Sequence, residues 1–244
     1  MSMRATRGMQ SYWDERARLN AAYYVDTSLG YDAPDMDKFV ETGRTVVRFA
    51  LDEAPIQPTE RGTAVEIGCG LGRICLALAD RFDRVVGFDI SAEMLARSRE
   101  LVSDPKVETR LTDGASLPGL SDNTVDMVVT FTVFQHIPRV EVIRTYVNEV
   151  GRVLRPGGVF CLQWNSTPGA LSWRARRSAM AVVQAFGFGD KYGRDRPQFL
   201  GSRVPVANMG GMLRDAGLEL VEVRDPGQLF TWAWARKAQP TSTG

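Results

Sequence analysis

The feature that most constrains this chain is a glycine-rich stretch, VEIGCGLGR (65–73), which follows an apolar run and precedes a run with helical periodicity. Glycine adopts backbone conformations that other residues avoid, and it lets a ligand come close to the main chain. In open α/β sheets, ligands bind beyond the carboxyl ends of the strands, at the turn between a strand and its helix. The stretch therefore predicts an α/β fold with a ligand at residues 68–72.

Strand-like and helix-like segments alternate along the middle of the chain. This alternation predicts a doubly wound parallel sheet with right-handed crossovers. Two final strand-like runs follow each other too closely for another crossover, which favours an antiparallel hairpin. The predicted strands are 63–68, 84–89, 107–111, 125–133, 159–164, 218–225 and 228–236, and the predicted helices are 36–54, 72–82, 91–101, 140–154 and 206–217.

Composition excludes several classes of protein. The formal net charge of +1 over 244 residues argues against a nucleic-acid partner. No run approaches the roughly 18 apolar residues of a membrane helix, and the N-terminus lacks the apolar core of a secretory signal, so we expect a cytoplasmic protein. Three scattered cysteines predict neither a disulfide framework nor a zinc site. No further carboxylate cluster indicates a metal, so no metal ligand is predicted.

The residues around the glycine loop indicate which nucleotide it binds. A nucleoside triphosphate site would carry Lys followed by Ser or Thr after the loop, whereas this chain has Arg73 and Ile74. A dinucleotide would favour the spacing G-x-G-x-x-G, and here the spacing is G-x-G-x-G. Asp89, 21 residues after Gly68, ends the second predicted strand, where a carboxylate accepts ribose hydroxyls. Asp113, in LTDG, is either an acceptor for an adenine amino group or an ordinary turn residue.

The ordered motifs VEIGCGLGR, VVGFDIS, LTDGASLPGLSDNTVDMVVTFTVFQHIP and VLRPGGVF resemble those of class I S-adenosylmethionine-dependent methyltransferases. The resemblance implies a seven-stranded, mostly parallel sheet whose last strand is antiparallel, with helices on both faces. It also implies S-adenosylmethionine as the cofactor. We expect a single domain over 1–244, with a helical cover at 8–60, a cofactor core at 61–164, a lid over the acceptor at 165–204, and a closing helix and hairpin at 205–236.

The same resemblance implies which residues hold the cofactor. Tyr12 or Trp13 of the helical cover would contact its methionine end. Glu66 would face the ammonium group or brace the loop, although a carboxylate at a strand end is also often simply exposed to water. The remaining implied contacts are Gly68, Gly70 and Gly72 for the methionine end, Asp89 and Ile90 for the ribose, Asp113 and Gly114 for the adenine, and Thr130 and Phe131 for the sulfonium region.

The acceptor is expected at the lid insertion, which carries seven Arg or Lys against two Asp, together with five aromatic residues. Arginine pairs with carboxylates and phosphates, and aromatic faces stack on sugars and rings. The alternative is a solvated helix face with ordinary core aromatics. The substrate contacts predicted here are Trp173, Arg174, Arg177 and Tyr192.

His136, the only histidine, follows the fourth predicted strand and is the candidate catalytic base. Its alternative role is to orient the loop. With this base we predict O-methylation of a hydroxyl on a small molecule, and the N-terminal stretch SYWDERARLNAAYYVDTS is similar to actinobacterial sugar O-methyltransferases. Carboxyl or N-methylation of a small molecule, or non-catalytic cofactor binding, remain alternatives. The sequence leaves the oligomeric state open, with a homodimer as one option.

Two other functions fit the sequence less well. Methyltransferases that act on DNA amino groups or on protein glutamine often carry an Asn/Asp-Pro-Pro-Tyr/Phe sequence after the fourth strand, where this chain has TFTVFQHIP. A nicotinamide-dependent oxidoreductase would favour the longer glycine spacing and a Tyr-x-x-x-Lys pair, which the chain lacks.

Overall fold

The alternating segments of the sequence form one seven-stranded sheet with helices on both faces. The computed structural model describes residues 3–168 and 196–239. The strands are β1 (Thr63–Ile67), β2 (Arg84–Asp89), β3 (Val107–Leu111), β4 (Val125–Thr130), β5 (Leu154–Trp164), β6 (Leu218–Arg224) and β7 (Thr231–Lys237). The helices of the described residues are α1 (Met3–Val25, broken at Asn20), α2 (Met36–Val47), α3 (Arg73–Ala79), α4 (Ala92–Leu101), α5 (Val140–Val153), α6 (Pro197–Leu200) and α7 (Val206–Asp215).

The strand order is β3-β2-β1-β4-β5-β7-β6. The five strands β1 to β5 pair in parallel, and β7 lies antiparallel between β5 and β6. The predicted doubly wound sheet with an antiparallel last strand is therefore confirmed. After β3 the chain returns to the other side of β1, so the carboxyl ends of β1 and β4 border a crevice at the switch point.

Strand boundaries differ from the sequence prediction by three residues or more in β4, β5 and β7, and β7 begins at Thr231 instead of residue 228. β4 ends at Thr130 instead of residue 133, because Thr132 has φ = +56°, a conformation that a strand cannot contain. A short 3₁₀ turn, Phe134–His136, follows. β5 begins at Leu154 instead of 159, so the sequence RPGG lies inside the strand. The register against β4 shifts there, and Gly157 takes φ = +81°.

The core lies on the two faces of the sheet. Alternate residues of β1 point to opposite faces, so that Val65 and Ile67 join one cluster and Ala64 the other. Helices α5 and α7 cover the first face, and α2 and α3 cover the second. Trp164 and Trp234 are the largest fully buried side chains. No helix among the described residues is long and apolar enough to cross a bilayer.

Candidate active site

The glycine loop at residues 68–72 is anchored to the end of β2 by its backbone. The amides of Gly68 and Cys69 donate to the carbonyl of Phe88 at 2.7 and 2.9 Å. Gly68 has φ = +75°, and a Cβ there would overlap the side chain of Val133. Glycine is needed at this position both for the backbone conformation and for the close approach of the loop after β4.

Asp89 connects the end of β2 to the loop. Its Oδ2 accepts from the Gly70 amide at 2.8 Å, and its Oδ1 accepts from the Ser91 amide at 2.8 Å. Burial raises the pKa of Asp89, although these backbone hydrogen bonds oppose the rise. A carboxylate has about four lone-pair sites, which is more than the backbone amides of Gly70, Ser91 and Ile90 use. The side chain therefore holds the loop and is still able to accept a hydroxyl from a ligand.

A cavity of about 740 Å³ lies at the carboxyl edge of the sheet, above the loop. α1 and α2 form one side of it, and the ends of β2 and β4 form its floor. Its far side is formed by the described ends of the predicted lid, through Asn165, Phe199 and Arg203, and by the β6–β7 loop, through Leu229 and Phe230.

The cavity brings together part of the predicted site. The predicted residues that line it are Gly68, Gly70, Asp89, Ile90, Phe131 and His136. The predicted residues that lie outside its lining are Tyr12, Glu66, Gly72, Asp113, Gly114 and Thr130. The predicted substrate contacts Trp173, Arg174, Arg177 and Tyr192 lie outside the described residues.

Glu66 is buried beneath the loop instead of facing the cavity. Its side chain accepts a hydrogen bond from the Cys75 thiol at 3.0 Å. Burial raises the pKa of Glu66 to about 8, while Cys75 and the nearby Arg73 oppose the rise. This geometry matches the bracing role among the two proposed for Glu66, and it differs from a carboxylate exposed to water.

The side chain of Asp113 forms hydrogen bonds with backbone amides of its own turn. Its Oδ1 accepts from the amides of Ala115 and Ser116, each at 2.9 Å. Partial burial raises its pKa, but the hydrogen bonds from Ser116 and Ala115 outweigh this and lower the pKa overall. The residue of this turn that lines the cavity is Thr112. The turn chemistry considered for TDG is therefore present, and the adenine contact stays a prediction.

His136 is enclosed in aromatic surroundings at the far wall of the cavity. Its ring lies 5.6 Å from that of Trp13 and 4.8 Å from that of Phe199. Nδ1 contacts the Phe199 carbonyl, and Nε2 lies 3.1 Å from the Gln135 side-chain nitrogen. Burial lowers the pKa of His136 to about 4, and the Phe199 carbonyl opposes this only in part. The imidazole is therefore neutral at pH 7, with both nitrogens engaged.

Comparison with known proteins shows which family part of this chain resembles. Residues 65–162 match the family described as methyltransferase domain. A protein of Mycolicibacterium smegmatis, named a probable S-adenosylmethionine-dependent methyltransferase, is 38% identical over 113 residues, which are 46% of this chain and 40% of that protein. The trans-aconitate 2-methyltransferase of Azoarcus sp. is 34% identical over 128 residues, 52% of this chain and 47% of that protein. The chain thus spans less than half the length of either curated relative.

These matches confirm the resemblance to class I S-adenosylmethionine-dependent methyltransferases that the ordered motifs indicated. The fold agrees with the solved DhpI–SAH complex, with a TM-score of 0.63 at 19% identity, covering 98% of this chain and 100% of that one. S-adenosylmethionine is the cofactor, as the resemblance of the ordered motifs implied.

The cavity is also lined by a buried arginine to which the sequence analysis gave no role. Arg73, 3% exposed, lines the cavity directly after the glycine loop. Its Nη1 donates to the Thr42 hydroxyl and lies 3.4 Å from an Asp26 oxygen, but its Nε has no partner among the described residues. A buried guanidinium with a donor left over fits the carboxylate of the methionine moiety. The basic residue after the third glycine was the available sequence signal.

Of the two N-terminal residues predicted to contact the cofactor, only one lines the cavity. Trp13 lines the cavity, whereas Tyr12 is buried beside Arg16, whose guanidinium lies 5.0 Å from its ring centroid. Adjacent helical residues point about 100° apart, so only one of them reaches the cavity. The helical periodicity of the sequence alone did not decide whether Tyr12 or Trp13 lines the cavity.

Proposed function

We propose that the protein transfers a methyl group from S-adenosylmethionine to an oxygen of a small-molecule acceptor. The observation that carries the proposal is a continuous cavity that runs from Gly70 and Asp89 past Phe131 to His136 and Asn165. Its volume of about 740 Å³ lies within the roughly 300 to 1,000 Å³ that ligand pockets span. When bound, the cofactor supplies a methyl group on a positively charged sulfur.

The chain's own contribution is alignment and exclusion of water. Displacement at a methyl group requires the acceptor oxygen, the carbon and the sulfur to lie in line. Phe131 is held in place by stacking on Trp232, with 5.2 Å between the ring centroids. Trp13 and Phe199 add apolar surface from two other elements. These rigid rings would confine the acceptor and dry the reaction path.

The first candidate acceptor is a hydroxyl, such as that of a sugar, with His136 as its base. A general base of this kind is worth about 10²–10⁴ in rate when its pKa lies near the working pH. In this site His136 has a pKa of about 4. It would serve as a base only if Gln135 released Nε2, so this candidate requires a rearrangement when the acceptor binds.

The second candidate acceptor is a carboxylate, and the state of His136 favours it. A carboxylate is ionised at neutral pH and needs no base. A neutral imidazole has no extra proton to give to the acceptor, so a carboxylate would stay ionised beside it. Arg203 in the cavity wall supplies a positive charge for that carboxylate. The Azoarcus relative is named for trans-aconitate, a carboxylic acid. Together these observations make an anionic oxygen acceptor the better supported of the two.

The test is a product assay with methyl-labelled S-adenosylmethionine against matched pairs of acceptors, each pair presenting the same skeleton as a carboxylic acid and as an alcohol. Sugars and amines complete the panel. Methyl esters formed from the acids support the carboxylate acceptor. Ethers formed only from alcohols, with kcat lost in His136→Gln, would establish the hydroxyl acceptor instead. Cofactor binding without turnover on any acceptor would favour the non-catalytic alternative.

A further inference from the structure

A buried chain of hydrogen bonds joins the end of β4 to α6 through three side chains. The Thr132 amide donates to Oε1 of Gln163 at 2.8 Å. Nε2 of Gln163 donates to Oε1 of Gln135 at 3.0 Å. Nε2 of Gln135 lies 3.1 Å from Nε2 of His136, and Nδ1 of His136 contacts the Phe199 carbonyl. We refer to Gln163, Gln135 and His136 as the amide relay.

The direction of every bond in the relay is set by its two ends. The Thr132 amide is able only to donate, and the Phe199 carbonyl only to accept. Gln163 must therefore turn its oxygen toward Thr132, which leaves its nitrogen for Gln135. The nitrogen of Gln135 then donates to His136 Nε2, and the proton of the neutral imidazole lies on Nδ1. No other assignment of the two amides satisfies all the groups.

Burial makes this arrangement costly to change. Gln163 is 0% exposed and Gln135 is 7% exposed. A proton on His136 Nε2 would face the Gln135 nitrogen, so both amides would have to turn. That change would leave the Thr132 amide opposite a donor. Because Thr132 already has φ = +56°, rare for a β-branched residue, the lost bond would fall on strained backbone.

The relay also connects three walls of the cavity. Gln163 Nε2 donates to the carbonyl of Leu229, in the β6–β7 loop, at 3.2 Å. His136 holds Phe199 of α6, and Thr132 directly follows Phe131 at the end of β4. A change in any one link would move aromatic or apolar surface at the acceptor side, while the glycine loop and Asp89 lie outside the relay.

We propose that Gln135 and Gln163 are positioning residues that keep His136 neutral, with its proton on Nδ1. They also fix the relative positions of the end of β4, α6 and the β6–β7 loop, which line the acceptor side of the cavity. The charged side chains lining the same cavity are Asp26, Arg73, Asp89 and Arg203. Burial accounts for the low pKa of His136, the Phe199 carbonyl opposes it in part, and no charged group is among its causes. Only the kinetic consequence of this inference rests on the proposed function.

The single histidine makes the proposal directly measurable. Long-range ¹H–¹⁵N spectra of the ¹⁵N-labelled full chain report which ring nitrogen carries the proton. We expect one neutral tautomer, protonated on Nδ1, from about pH 5 to about pH 8, a range that brackets the ordinary histidine pKa of about 6.5. A proton on Nε2, or a ring that titrates within this range, overturns the proposal.

Two substitutions test the relay itself. The ionised carboxylate of Gln163→Glu offers only acceptors, so in that state Gln135 should turn, present its oxygen to His136 and bring the titration midpoint into the range above. Gln163→Met removes the link without a charge and should raise the midpoint less. Gln228→Glu, an exposed change in the β6–β7 loop, adds the same charge and should leave the midpoint unchanged. Unchanged midpoints in both Gln163 variants refute the relay, and the wild-type tautomer still decides the matter if one variant does not fold.

The kinetic consequence is specific to the acceptor. Gln163→Met should raise the acceptor KM about tenfold, the change corresponding to one buried hydrogen bond, and leave the affinity for S-adenosylhomocysteine unchanged. Equal loss of both affinities would indicate a general folding defect and count against positioning. If no acceptor is ever methylated, the proposed function is wrong. The tautomer measurement still tests the amide relay, because it does not depend on catalysis.

Discussion

Replacing Glu66 with glutamine should remove a large pH dependence from the stability of the protein. Glu66 is 2% exposed, and its main polar contact is the Cys75 thiol at 3.0 Å. Burial raises its pKa to about 8, whereas an unfolded chain would give about 4.5. Glutamine has the same shape and keeps an oxygen for the thiol, but it has no proton to lose.

The magnitude follows from these two pKa values. Below pH 4.5 the carboxyl is protonated in both states, and its contribution to stability is fully present. Between pH 4.5 and 8 the unfolded chain releases the proton while the folded chain retains it. The free energy of unfolding therefore falls by about 1.4 kcal/mol per pH unit, or about 5 kcal/mol over the whole range. Against a typical total of about 5–15 kcal/mol, this loss is large.

The assay is urea denaturation of wild type and Glu66→Gln at about pH 5.5 and pH 7.5. Over these two pH units the stability difference between variant and wild type should shift by about 3 kcal/mol in favour of the variant. Glu219→Gln, an exposed position in β6, is the matched control and should show no such shift.

A parallel response of wild type and Glu66→Gln would refute the assignment of a buried, protonated carboxyl. Calorimetry with S-adenosylhomocysteine then separates the two roles predicted for Glu66. Unchanged affinity in Glu66→Gln is expected if the side chain braces the loop. A loss of affinity would mean that an ionised Glu66 meets the cofactor ammonium.

The remaining predictions concern the cofactor and its loop. Asp89→Ala should weaken S-adenosylhomocysteine binding by roughly 1–3 kcal/mol in calorimetry, because the ribose loses its acceptor and Gly70 its partner; tighter binding of NAD than of S-adenosylhomocysteine would contradict the site. Arg73→Met should weaken S-adenosylhomocysteine by roughly 1.5–3 kcal/mol but leave methylthioadenosine, which has no carboxylate, unaffected; equal losses would place Arg73 elsewhere. Gly68→Ala should destabilise the fold in thermal denaturation, since its φ is +75° and a Cβ would overlap Val133; an unchanged Tm would refute the strain. Ser91→Ala, which removes the N-cap of α4, should cost about 1 kcal/mol of stability.

The fold and the cofactor end of the site could be predicted because their signals are local and periodic. The apolar runs of β1 and β4 and the helical spacing between them specify layers without any long-range knowledge. The glycine loop and Asp89 lie at fixed positions relative to those elements, so motif order was enough to place them. The N-cap of α4 at Ser91 could be predicted from the sequence for the same reason.

The acceptor end depended on contacts between residues that are far apart in the chain. Gln163 interrupts the apolar strand VFCLQW, which signals a buried polar group, but its partners lie 28 and 31 residues earlier. The position of His136 in the sequence suggests a base, but its burial lowers its pKa and makes it neutral. Its Nδ1 contacts the carbonyl of Phe199, 63 residues later. Sequence alone determined which chemistry the chain carries, through local geometry. Only the tertiary structure decided which titratable side chains are charged in the folded protein, because burial and hydrogen bonding set the pKa of each group.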